Sequence, residues 1–267
     1  MKVTALLSEA IQLPHSLHQE IYQTFVTWID WLIRSSYQND QYVVFFMKDK
    51  ANTCRKALQQ PLQQVINQYI QRQFADHHVT VKISFANTTF IQGKVDHEWH
   101  FENYKHHINL TLIIPSKLFQ KVDLQSDEIA IHWTSVAMHE ILHLVQIASN
   151  KWKTSDISKF RGEKPNIEKV DYYTSKLEID AFAQSTATKL IAYADKQNNP
   201  IKFLQTVILP KVKQSDPLLL GPLSNHRIML IAMDHDLRVA NKVKNLYYKK
   251  LYQKLDSYID HVKNKGS

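Results

Sequence analysis

Glycine is scarce in this chain: four residues in 267, at Gly93, Gly162, Gly221 and Gly266. Glycine is the usual residue of tight turns, so a fold built from many short hairpins is excluded and a largely helical one is expected. Cysteine is almost absent. The single Cys54 rules out an internal disulfide and fits a reducing compartment. It lies among Lys50, Arg55 and Lys56 in a helical pattern, where an incidental thiol is the expected role. The opening M-K-V-T-A-L-L-S-E-A has no sustained apolar core followed by a small-residue cleavage site. Neither a secretory signal nor a membrane span is expected, and a cytoplasmic location is the expectation.

Charge is present but lopsided, with a formal net charge of +8. Part of it sits in the tail from Arg238 to Lys265, where Val239, Val243, Leu246, Tyr247, Leu251, Leu255 and Ile259 recur against many lysines. That pattern reads as a basic amphipathic helix with its lysines on a solvated face. No nucleic-acid motif accompanies it, so a nucleic-acid partner is not expected.

Helical spacing recurs at the other end. Leu17, Ile21, Phe25, Trp28, Ile29 and Leu32 place an amphipathic helix over 15–36, with Pro14 at its start. A second helical region runs from about Asn39 or Asp40 to Phe74 and is expected to break near Pro61; its Gln-rich run is expected to pack onto the domain. The period then changes from 3.6 to 2. Val79, Val81, Ile83 and Phe85 form one strand, and Ile108, Leu110, Leu112 and Ile114 form another that stops at Pro115 and Ser116. Between them lie His97, His100, His106 and His107, whose spacing matches no recognisable metal site; a solvated loop or cleft rim is expected there.

One stretch outweighs the rest. Val136 to Ala148 reads V-A-M-H-E-I-L-H-L-V-Q-I-A and contains the pattern H-E-x-x-H. On a helix, His139 and His143 stand one turn apart on one face, so both imidazoles can meet one metal ion. Zinc takes roughly tetrahedral nitrogen and oxygen ligands, and a catalytic site keeps one position for water. Glu140 points tangentially, which suits a proton acceptor better than a third ligand. The helix is expected to start near Ser126 with Asp127 and Glu128 in its first turn, and to run to about Ser149 without Gly or Pro. Its residues are apolar nearly all round, so two histidines and a glutamate would be buried at a high cost unless something holds them.

The third ligand must come from elsewhere. A metzincin would carry glycine where Gln146 stands and histidine where Ser149 stands, which excludes that class. Three glutamates follow the motif, Glu163, Glu168 and Glu178, and the first two lie in a polar stretch with Gly162 and Pro165. Glu178 opens K-L-E-I-D-A-F-A, a second apolar helical pattern, where a carboxylate would complete a His, His, Glu shell. Tyr172 and Tyr173 just precede this helix, and a phenol there can donate to the oxyanion of a tetrahedral intermediate; Tyr173 is the candidate.

H-E-I-L-H at 139–143 followed by E-I-D-A-F-A at 178–183 resembles the gluzincin type of zincin metallopeptidase. The resemblance covers residues 106–196. It implies His139, His143 and Glu178 as Zn2+ ligands, Glu140 as catalytic base, a sheet preceding the active-site helix, and an edge strand at 106–114 that pairs with an extended peptide substrate. By analogy with larger members, His226 becomes a candidate for stabilising the oxyanion. Where those members carry an Asp four residues after the ligand Glu, this chain has Phe182, and the nearest acid is Asp180.

The resulting expectation is an α+β, mainly helical, zincin-like single domain over 1–267. It comprises an N-terminal helical region over 1–75, a sheet plus metal-binding helices over 76–197, and a C-terminal helical region over 198–267. The expected activity is zinc-dependent hydrolysis of peptide bonds in a peptide or protein substrate. The alternative is a catalytically silent protein of the same fold with a binding, regulatory or phage-associated role.

Overall fold

The computed structural model describes residues 13–35, 42–44, 48–74, 77–86, 91–100, 105–115, 117–120, 126–149, 176–220 and 237–265. The class is α+β, mainly helical, with a small three-stranded sheet. Contacts divide the chain into two compact units, one of Pro14–Ala148 and the other drawn from residues 149–267.

In the first unit, α1 (His15–Ser35) and α2 (Lys48–Gln73) precede the strands β2 (His77–Ala86), β3 (Gln92–His100) and β4 (Lys105–Pro115). Two short strands, β1 (Tyr42–Val44) and β5 (Lys117–Gln120), pair separately, and α3 (Ser126–Ser149) closes the unit. Helix α1 follows its pattern, burying Leu17, Ile21, Phe25, Trp28 and Ile29. Phe25 meets Trp133 of α3 edge-on with centroids 5.6 Å apart, and Trp28 stacks at 6.3 Å on Phe85 of β2.

Helix α2 departs from expectation twice: it begins at Lys48, after Tyr42–Val44 of the region expected to be helical has formed strand β1, and it runs through Pro61 without a break. Proline at that point deprives the Ala57 carbonyl of its helical donor. Both residues are exposed, so water can serve the carbonyl and the ring overhangs solvent. The Gln-rich run packs as expected, and its polar groups are used. Gln63 accepts from the Val81 amide at 2.5 Å and donates to the Val79 carbonyl, while Asn67 accepts from the Val79 amide at 2.9 Å. These side chains occupy backbone groups of Val79 and Val81 on the outer edge of β2.

The sheet order is β2-β4-β3, with β2 parallel and β3 antiparallel to β4. Two expectations are thereby corrected. Segment 106–114 is the central strand, paired on both sides, and not an edge open to a substrate. Gln92–His100, expected as a loop through His97 and His100, is an edge strand, held by backbone pairing from Gln92↔Ile113 to His100↔Lys105. Its charged and imidazole side chains conceal the alternation that marks a half-buried strand, but ladder bonds require only main-chain groups.

The second unit holds α4 (Lys176–Asp195), α5 (Pro200–Phe203), a π-helical turn over Leu204–Ile208, α6 (Leu209–Lys213), a 3-10 turn at Pro217–Leu220 and α7 (Leu237–Lys265). Asn199 caps α5 by accepting from the Lys202 amide at 3.0 Å. A core of Ile179, Phe182, Ala183, Ala187, Val243, Tyr247, Leu251 and Leu255 joins α4 to α7. The Tyr247 hydroxyl is buried with them, 2.7 Å from Thr186 Oγ1 and 2.9 Å from the Leu219 carbonyl oxygen.

Helix α7 spans the basic tail, but its lysines are not all on a solvated face. Lys250 and Lys254 are buried, and Lys254 Nζ lies 3.1 Å from Asp180 Oδ1 of α4. Burial pulls the Lys254 ammonium below its usual range, against the opposing pull of the Asp180 carboxylate. Asp180 is thus committed to fastening α4 to α7.

Candidate metal centre

Helix α3 begins where acids stabilise a helix N-terminus, with Asp127 and Glu128 in its first turn. Asp127 also accepts from the Tyr22 hydroxyl of α1 at 3.1 Å. Ala130, Ile131, Trp133, Ala137, Met138, Ile141, Leu142, Leu144 and Val145 bury it on nearly every side. In that setting His143 and Glu140 are buried, and His139 is half-buried.

The two imidazoles converge. Their Nε2 atoms are 3.2 Å apart and their planes stand at 83°. Two nitrogens on one tetrahedral zinc, each at about 2.0–2.1 Å, are separated by about 3.3–3.4 Å, so the pair is already spaced for one ion. The other nitrogen of His143 is also committed: Nδ1 lies 2.9 Å from Gln146 Oε1. A carbonyl oxygen can only accept, so Nδ1 donates, and in the neutral imidazole Nε2 then presents its lone pair. A ligand histidine needs this tautomer. Gln146 entered the sequence reading only as the residue that excludes a metzincin. Its role was visible in the spacing, since positions three apart on a helix are neighbours.

Glu178, buried in the first turn of α4, supplies the carboxylate. His139, His143 and Glu178 each offer one ligand atom, and these atoms all lie within 4.8 Å of one another. The group could hold a metal ion, and its donor chemistry, two imidazole nitrogens and a carboxylate oxygen, fits such a role. No other group of this kind occurs among the described residues.

Glu140 sits beside the histidines, with its side chain against Gly93 of β3. Sequence reasoning missed Gly93: a glycine inside a strand signals close backbone approach, but the alternation that would mark this strand is missing from the sequence. Tyr172, Tyr173 and His226 lie outside the described residues, as do Glu163, Glu168 and the polar stretch around Gly162 and Pro165. Cys54 is buried, its carbonyl accepting from Trp28 Nε1 at 3.0 Å.

The chain matches no protein-family model, no curated protein and no solved structure. Among the described residues, no helix is long and apolar enough to cross a membrane.

Proposed function

We propose that this chain is a zinc metallopeptidase of the zincin type, a single functional domain that hydrolyses peptide bonds with Glu140 as general base. The His139, His143 and Glu178 group carries the reading, because it brings two imidazole nitrogens and a carboxylate oxygen within 4.8 Å of one another in a largely buried setting. Zinc bound there would polarise the scissile carbonyl and draw the pKa of a water toward about 7. Gln146 keeps the His143 Nε2 lone pair available. Glu140 takes the proton from the attacking water and hands it to the leaving amine. Tyr173 and His226 are the proposed donors to the oxyanion.

The sheet supports a peptide substrate in particular. The β2 edge is occupied by Gln63 and Asn67, whereas among the described residues no strand pairs the outer edge of β3, the strand at Glu140. An extended chain can add there through main-chain hydrogen bonds, leaving side-chain preference to the surrounding pockets.

The test is metal analysis beside hydrolysis of a peptide library. Wild type should bind zinc stoichiometrically and cleave; H143A and E178A should lose the metal. E140Q should keep it and lose about 10²–10⁴-fold in kcat. Full hydrolysis by E140Q would overturn the mechanism, and stoichiometric zinc without cleavage of any peptide would indicate a silent binding protein.

A further inference from the structure

We infer that Gly93 is a positioning residue for Glu140: the bare backbone of β3 at this point sets the rotamer that aims the carboxylate, and any side chain there swings it away. The inference rests on the reading of Glu140 as proton acceptor. Gly93 lies inside β3, paired with Leu112 of β4. Glycine in a strand interior loses conformational entropy and packs nothing, so its place must be explained by what approaches it. A Cβ built on Gly93 would lie 2.6 Å from both Cδ and Oε1 of Glu140, and closer still to Cγ.

The involvement of Cγ decides how such a clash resolves. A contact confined to the carboxylate tip would be relieved by a small turn about the last torsion. A contact at Cγ is relieved only by rotation about χ1, which carries the whole carboxylate to another direction. Neither backbone can give way easily. Helix α3 is enclosed at Met138, Ile141 and Leu142, and β3 is paired to β4 from Gln92 to His100. The strand therefore does more than offer an edge, since its one residue without a side chain shapes the seat of the base. A displacement of about 1 Å at a catalytic group is enough to cost two orders of magnitude in rate.

The experiment is a double-mutant cycle on the full chain: wild type, G93A, E140A and G93A/E140A, read by thermal midpoint, zinc content, and kcat and KM on the peptide that wild type cleaves. G93A should lower the midpoint by about 5 °C when Glu140 is present and by less than about 2 °C in the E140A background, because truncation removes the clash. G93A should keep stoichiometric zinc, and kcat should fall about 100-fold or more with KM within about twofold. An equal midpoint loss in both backgrounds, wild-type kcat in G93A, or loss of zinc from G93A would each overturn the inference. Should G93A fail to fold, G93A/E140A must fold; its failure would also overturn it. A wild type without zinc or hydrolysis defeats the enzyme reading, and the midpoint cycle then still decides whether Gly93 and Glu140 are coupled.

Discussion

Helices α3 and α7 both bury ionisable side chains, and they do so by opposite means. Helix α3 is apolar around its circumference, and its buried Glu140, His143 and Gln146 stand out against that background. They are accommodated by convergence, with Nε2 against Nε2 and Nδ1 on a glutamine oxygen. Helix α7 is lysine-rich, and its buried Lys250 and Lys254 look in the sequence like the solvated lysines beside them. Lys254 is accommodated by a counter-ion on another helix. A polar residue in an apolar helix announces a site, while a buried charge in a polar helix is silent until its partner is located.

The comparison can be broken most sharply at the ion pair. K254M should destabilise the protein by about 3–5 kcal/mol, because Asp180 keeps a buried charge without its counter-ion, whereas K254M/D180L should recover most of the loss. Urea denaturation of the two variants decides it, and a K254M protein as stable as wild type would return Lys254 to the solvated face. On α3 the corresponding change is Q146A. It should leave the fold intact and weaken zinc binding about 10–100-fold, read by competition with a chelator, since His143 loses the acceptor that fixes its tautomer.

A third case separates burial from compensation. His18 of α1 is buried, and among the described residues neither ring nitrogen has a hydrogen-bond partner. Desolvation, assisted by nearby His15, pulls its pKa from 6.5 down to about 3. Above pH 6.5 both folded and unfolded chains hold His18 neutral, and it contributes nothing to pH dependence. Below that pH the unfolded chain takes up a proton that the folded chain refuses until about pH 3, so stability falls as the pH drops through this window. The loss approaches about 2 kcal/mol at pH 5. The difference between urea midpoints at pH 7 and pH 5 should shrink in H18F; an unchanged difference would show that His18 does not titrate this way.

The same contrast explains what could be read in advance. The extents of α1 and β4, and of β2 within a few residues, followed from periodicity, since burial on one face imposes a period that composition cannot hide, whereas that of α3 followed from its acidic first turn and a run without Gly or Pro. Pairing left no such trace. Residues 106–114 look like any apolar strand, and only the register with β2 and β3 places them in the middle of the sheet. The edge strand itself, carrying His97 and His100, lacks the apolar alternation that would have revealed it.

The H-E-x-x-H spacing by itself determined that two imidazoles share a helix face with a carboxylate between them, because a helix repeats every 3.6 residues wherever it is placed. Composition determined a mainly helical chain without internal disulfides. Tertiary structure alone decided that Asp180 serves α7, that α2 covers the β2 edge, and that Glu140 rests on Gly93. Each of these is a meeting of residues on different elements, and local propensity carries no information about which other surface a side chain will find.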